Sequence, residues 1–349
     1  MMQLRHPSPS TFRPFRPHPW VRSARAQTLL ARWTPRSVAV LRRLEQPILL
    51  DAGRDVTGMD PRGRVRLLGY YVPHQAEGAS RGLVLTLHGW EGCSHSSYNL
   101  VLCRALAQAG YDVFRLNLRD HGPGYHVDPY ALNPGLFLGT LLDEVAVAVG
   151  RVAEMADRRP FYIVGASLGG NFALRLAIRH RAVPFPNLRR VVAICPAVNP
   201  ARASDNIDAH RDVRFYFRRR WVRSLLAKER LFPERYHFGP LLKLPRLREM
   251  TEWLVRHYTP YRDADDYFRR YTVHDALLQR LTVPTTIIAT ADDTVIPVVD
   301  LQALTPHPLL DLQIYPVGGH VGFVDLFPFK HCLPELLLAA LAEDEADEG

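Results

Sequence analysis

Ser167 stands between two glycines in Gly165-Ala166-Ser167-Leu168-Gly169, and groups able to activate it lie further along the chain. A serine hydroxyl is a poor nucleophile until a base takes its proton and a third group orients that base. Both follow in the order serine, aspartate, histidine: the pair Asp292-Asp293, then His320 within Val317-Gly318-Gly319-His320-Val321-Gly322. Such a trio suits acyl transfer through a covalent serine ester. His320, set among glycines, has little apolar packing to explain it as a core residue. Asp293, in Asp293-Thr294-Val295-Ile296-Pro297, is the preferred acid; Asp292 is the alternative, and the loser is expected to cap a helix beginning near Val298. An oxyanion forming at the carbonyl needs donors fixed in advance. The amides of Leu168, directly after the serine, and of Trp90, after His88-Gly89, are the expected pair. His88 reads as a support for its loop, and Asp120-His121 as organisers of the rim.

Each candidate sits where a strand should end. Phe161-Tyr162-Ile163-Val164 is an apolar run of the fully buried type, and Gly170–Ala177 reads as a helix, so Ser167 occupies a sharp strand-to-helix corner. Strands are also expected over 65–72, 83–87, 113–117, 191–195, 285–289 and 312–315. Helices are expected over 24–32, 98–109, 135–156 and 331–342, with an irregular segment between the first of them and about Pro47. Continuous apolar strands alternating with helices imply a mostly parallel sheet covered on both faces. Asp293 and His320 then share the carboxyl rim of that sheet with Ser167.

The stretch 200–271 breaks the rhythm, being helical and rich in arginine and aromatics. A long interruption of this kind reads as an inserted cap over the rim. The expected organisation is a basic extension (1–50), a first part of the core (51–199), the helical cap (200–271), a second part of the core (272–342) and an acidic tail (343–349).

An apolar content of 47% excludes disorder over most of the 349 residues. The net charge of +9 is concentrated: residues 1–50 carry nine arginines and one acid, and residues 201–270 carry seventeen Lys/Arg against ten acids. Arg218, Arg219, Arg220 and Arg223 form the densest group. With no recognition helix, zinc finger or aromatic RNA platform beside them, nucleic acid is not an expected partner. An anionic substrate, or peripheral contact with a membrane, is the alternative use of the charge. No run is long and apolar enough for a transmembrane helix, and the first twenty residues do not read as a secretory signal. Cys93, Cys103, Cys195 and Cys332 fit no zinc spacing, and His95, His126 and His210 lack suitable neighbours. No metal and no cofactor are expected, and a reducing, cytoplasmic setting is the default.

His88-Gly89-Trp90-Glu91-Gly92, the Gly165–Gly169 element, the aspartate pair and His320 resemble the α/β-hydrolase superfamily. Ala26-Gln27-Thr28-Leu29-Leu30, Leu116-Asn117-Leu118-Arg119-Asp120-His121-Gly122 and Gly165–Asn171 together resemble its YheT-like branch, bacterial relatives of a mammalian group that includes lipid-directed enzymes. The resemblance covers roughly residues 20–340. It implies an eight-stranded sheet, a helical cap, hydrolysis of a carboxylic ester of short or medium acyl length, and the triad Ser167, Asp293 and His320. A lipid ester as substrate, or an alcohol in place of water as acyl acceptor, would use the same triad. A binding protein that has lost catalysis should lack a member of it, and none is lacking.

Overall fold

The computed structural model describes residues 14–56, 58, 63–123 and 129–342. The first thirteen residues of the basic extension, His126 and the acidic tail 343–349 lie outside the described residues. One sheet holds β1 (Gln46–Arg54), β2 (Arg64–Val72), β3 (Gly82–Leu87), β4 (Tyr111–Leu116), β5 (Phe161–Ala166), β6 (Leu188–Ile194), β7 (Thr285–Thr290) and β8 (Leu310–Tyr315). Its spatial order is β1-β2-β4-β3-β5-β6-β7-β8. Only β2 runs against its neighbours; every pair from β4 to β8 is parallel. A separate hairpin joins β9 (Val324–Asp325) to β10 (Lys330–His331).

The helices are α1 (Ala24–Leu30), α2 (Leu41–Leu44), α3 (Ser97–Gln108), α4 (Leu142–Met155), α5 (Leu168–His180) and α6 (Pro200–Ala209). They continue with α7 (Arg211–Leu231), α8 (Leu247–Tyr258), α9 (Ala264–Arg269), α10 (Asp275–Leu278), α11 (Val298–Gln302) and α12 (Leu333–Ala342).

Alternation along the buried strands builds two cores. On β5, Phe161 and Ile163 face α4 and α5, whereas Tyr162, Val164 and Ala166 face α3 and α12. A period of two on a strand allows nothing else, and it explains why the run is apolar on every residue. Helices α6 to α10, between β6 and β7, pack Leu225, Met250, Leu254 and Phe268 into the same apolar cluster as α4 and α5. The helical block thus shares one apolar core with one sheet face.

Two expectations are corrected. Residues 135–141 are not helical, and α4 starts at Leu142. The amide of Gly139 donates to Tyr267 Oη (2.8 Å), its carbonyl accepts from Arg175 Nη1 (2.6 Å), and a Cβ there would lie 2.6 Å from the Tyr271 ring. Leu136, Phe137 and Leu138 line a cavity under the helical block, which is why they are apolar. Second, the stretch expected to be irregular up to about Pro47 holds a 3-10 helix over Arg36–Val40, then α2, and from Gln46 enters the edge strand β1, which mixed exposure and Pro47, tolerated at an edge, hide in the sequence.

Lys228 of α7 is the buried tie between block and sheet rim, only 1% exposed. Its ammonium donates to Asp120 Oδ1 (2.6 Å), Asn133 O (2.5 Å) and Gly135 O (2.8 Å), so all three protons are used. Asp120 Oδ2 accepts from the Phe137 amide at 2.9 Å. Lys228→Met leaves that carboxylate buried without its cation, and should lower unfolding free energy by about 3–5 kcal/mol. Urea denaturation measures it, and adding Asp120→Asn should recover part of the loss.

Candidate active site

Ser167 follows the last residue of β5 and precedes the first of α5, with φ 56° and ψ −118°. This left-handed backbone is costly for a residue with a Cβ and is held by its surroundings. A Cβ on Gly165 would lie 2.1 Å from Gly169 O, and one on Gly169 would lie 2.3 Å from Leu87 O. The corner closes only because both positions lack side chains. The Ser167 amide donates to Ile194 O (2.8 Å), and its carbonyl accepts from Ala197 N (3.2 Å). Buried Asn171 ties the same helix to Ala197 O (2.9 Å) and Tyr271 O (2.8 Å).

The structure brings Ser167, His320 and Asp293 into one hydrogen-bonded chain. His320 Nε2 lies 2.9 Å from Ser167 Oγ, and His320 Nδ1 lies 2.8 Å from Asp293 Oδ2. Asp293 Oδ1 accepts from the amides of Val295 (2.7 Å) and Ile296 (2.9 Å), which fixes the carboxylate plane. Asp292 turns the other way and accepts from Gly319 N at 2.9 Å. It steadies the histidine loop and does not cap α11, whose N-cap is Pro297 without a side-chain bond. Cys195 joins Asp293 and His320 in offering ligand-type atoms within 4.8 Å of one another. Burial pushes the Cys195 thiol well above its usual range, so the sulfur keeps its proton, and the imidazole is already committed on both nitrogens.

Trp90 and Leu168 flank the serine. A Cβ on Gly89 would lie 3.0 Å from Ser167 Cβ and 3.5 Å from its Oγ, so the chain leading into Trp90 passes close beside the serine. As first residue of α5, Leu168 has an amide without an intrahelical acceptor. The Trp90 ring stacks on Phe217 of α7 with centroids 5.5 Å apart. His88 is wholly buried; its Nδ1 bonds Gly89 O (2.8 Å) and its Nε2 accepts from Leu118 N (3.0 Å). His121 Nε2 accepts from Glu91 N at 3.2 Å. Both histidines hold the loop and neither reaches Ser167.

Sequence reasoning missed the support under His320. Thr28 Oγ1 accepts from the His320 amide (2.9 Å) and donates to Ala24 O (2.8 Å). Gln27 is fully buried, its Nε2 donating to Val324 O (2.8 Å) and its Oε1 accepting from Val324 N (2.8 Å). A Cβ on Gly319 would lie 2.4 Å from Ala24 O, so α1 is pressed against the loop. The signal was present in Ala26-Gln27-Thr28-Leu29-Leu30, but nothing in that stretch names a partner 292 residues away.

Two cavities meet at Ser167. The inner one, about 140 Å³, lies under the helical block between Leu136, Phe137, Trp221, Leu254 and Tyr271. The outer one, about 490 Å³, is a mouth bounded by Arg25, Thr28, Arg32, Tyr216, Arg220 and His320.

A family model described as alpha/beta hydrolase fold matches residues 82–325, and the chain belongs to this family. A Synechocystis protein that carries the name putative esterase is 25% identical over 238 residues, 61% of this chain and 62% of that protein. The chain therefore matches less than two thirds of the length of that relative. The esterase Pf2001 of Pyrococcus furiosus superposes with a TM-score of 0.52 at 15% identity, covering 89% of this chain and 96% of that one. The alpha/beta hydrolase GrgF of Penicillium does so with 0.51 at 13% identity, covering 86% and 99%. At these identities the structural likeness is one of fold.

Two outcomes follow from this geometry. Thr28→Val keeps the shape but removes the acceptor for the His320 amide, a bond worth about 1 kcal/mol. Labelling of Ser167 by a fluorophosphonate should slow by about fivefold, while the thermal midpoint falls by about 2–4 °C at most. Burial, helped by His121, pushes His88 down to about 3 from 6.5. Its contribution is full above pH 6.5 and is lost as pH falls toward 3, because only the unfolded chain takes up the proton there. Wild-type stability should fall across that window by about 1.4 kcal/mol per pH unit more than that of His88→Asn, read by urea denaturation.

Proposed function

We propose that this chain is a serine hydrolase of carboxylic esters working through an acyl-enzyme. The observation that carries the reading is the chain Ser167 Oγ, His320 Nε2, Nδ1 and Asp293 Oδ2, opening on an apolar cavity. Ser167 Oγ attacks the ester carbonyl carbon while His320 Nε2 takes the hydroxyl proton. Asp293 holds the imidazole tautomer and stabilises the imidazolium. The amides of Trp90 and Leu168 receive the oxyanion. The imidazolium returns its proton to the departing alcohol, and water, activated by the same nitrogen, releases the acid.

The two cavities give the substrate a direction. His320 lines the mouth and not the inner cavity, so the alcohol that must collect its proton leaves on the mouth side. The acyl chain then lies inward among Phe137, Trp221 and Leu254, in a small, mostly apolar space suited to short or medium length. Helices α6 to α10 act as the cap. Membership of the YheT-like branch is part of the proposal, supported by Gln27 and Thr28 and the use the fold makes of them. So is a reducing, cytoplasmic setting, which fits the four free cysteines. Among the described residues no helix is long and apolar enough to cross a membrane.

Ser167→Ala should abolish both hydrolysis of p-nitrophenyl esters and fluorophosphonate labelling while the protein stays folded; labelling that persists on another serine would sink the assignment. Asp293→Asn should lower kcat by about 10⁴-fold, and Asp292→Asn far less, since it loses only a loop contact. A larger loss in Asp292→Asn would transfer the acid role to that residue.

A further inference from the structure

The arginines of the helical block fall into two populations. Arg246, Arg248, Arg256, Arg262, Arg269 and Arg270, on and around α8 and α9, each have a carboxylate within 4.0 Å. Along α7 the pattern is different: among the described residues, Arg219, Arg220 and Arg223 have no carboxylate partner, and neither does Arg32 beside α1. These four wall a recess of about 330 Å³ built around Tyr216. Arg32 lies over the Tyr216 ring at 4.2 Å, and Arg220 at 5.7 Å. Arg220 Nη1 donates to Tyr216 Oη (3.1 Å) and Nη2 to Glu91 O, while its buried Nε has no acceptor. Arg218, grouped with them in the sequence, faces away and donates to Leu242 O and Leu244 O.

Position gives the recess a purpose. Arg32, Tyr216 and Arg220 belong to its wall and equally to the wall of the mouth that holds Ser167 and His320. Two acids line the mouth: Asp212 is paired with Arg25 at 2.9 Å, and Glu91 Oε2 accepts from Ser224 Oγ at 2.6 Å, so neither carboxylate pairs with the four arginines. Four guanidinium groups gathered without a counter-charge repel one another, and an anion between them removes that cost. Guanidinium forks match the paired oxygens of a phosphate.

We propose that this recess binds a phosphate, or an equally charged anionic group, carried on the alcohol portion of the ester. The inference rests on the serine-esterase reading for its direction, because the alcohol side is the side of His320. The anion sits beyond the mouth while the acyl chain fills the inner cavity, and Arg220, bonded to the carbonyl of Glu91, couples the occupied recess to the loop carrying Trp90.

The test compares two soluble esters with one acyl chain, butyrylglycerol and butyrylglycerol 3-phosphate, in wild type, Arg219→Gln/Arg223→Gln and Arg219→Lys/Arg223→Lys. The ratio of kcat/KM, phosphate ester over neutral ester, should fall tenfold or more in the glutamine pair, chiefly through KM, and recover partly in the lysine pair. Inorganic phosphate should compete against butyrylglycerol in wild type and lose potency in the glutamine pair. The same ratio in all three proteins, with no competition by phosphate, overturns the proposal. So does co-sedimentation with phosphatidylglycerol vesicles and not phosphatidylcholine vesicles when the soluble pair shows no preference, which gives the arginines to a membrane surface. If wild type cleaves neither ester, the esterase reading fails. Calorimetric titration with inorganic phosphate then judges the recess alone, and absence of binding overturns it.

Discussion

Two backbones in contact set this structure. Gly165 at the end of β5 and Gly169 in the first turn of α5 approach so closely that neither tolerates a Cβ, and Ser167 between them is forced to a positive φ. Such a conformation costs about 1–3 kcal/mol, and it survives because α5 is buried along nearly its whole length against β3, β5 and β6. The strain is located where a hydroxyl must stand clear of the sheet. The same closeness brings Leu87 O against Gly169, so β3 and its following loop, with Trp90, are placed by the corner that places the serine. Ser167 and the amides of Trp90 and Leu168 therefore share one origin in the packing.

The partners of Ser167 come from two later strands, and parallel register carries them to the same rim. Thr290 and Tyr315 are paired at the ends of β7 and β8, and Asp293 and His320 lie just beyond them. Register alone does not orient an imidazole. Residue 319 has its amide bonded to Asp292 Oδ1 and its carbonyl to Thr290 Oγ1 at 2.8 Å, while the His320 amide is held by Thr28. The histidine is locked from the sheet side by β7 and from the far side by α1. An extension that looked like a charged appendage is part of the frame around His320.

The serine corner, the acid pair and the glycine-bounded histidine were legible because each is a local pattern at a strand end, and the buried strands announced themselves by length and apolarity. What stayed hidden depends on distant contacts. Leu136, Phe137 and Leu138 have the apolar spacing of a helix because they line a cavity, and only Gly139 under Tyr271 shows why the chain cannot coil there. Strand β1 is masked because an edge alternates weakly and accepts a proline. Four neighbouring arginines looked equivalent in sequence, yet α7 turns Arg218 inward to carbonyls and leaves Arg219, Arg220 and Arg223 to a recess. Helical phase separates them, and phase is fixed only once the helix has been docked.

That docking also sorts the cations by what they can do. Lys228, two turns beyond Arg220 on α7, has each proton on an oxygen of the rim and is spent on holding the block in place. Ser224 between them bonds Glu91 Oε2 at 2.6 Å. One helix thus touches the loop after β4 through Lys228, the loop after β3 through Ser224 and Arg220, and the mouth through Tyr216. On the proposed reading, the acyl chain and the departing alcohol lie on opposite sides of Ser167, and the site needs unlike walls on those two sides. Helix α7 supplies both: Trp221 and Leu225 face the inner cavity, while Tyr216 and Arg220 face the mouth. Substitutions along its length should therefore act on different halves of the substrate according to helical phase and not according to distance from Ser167 along the chain.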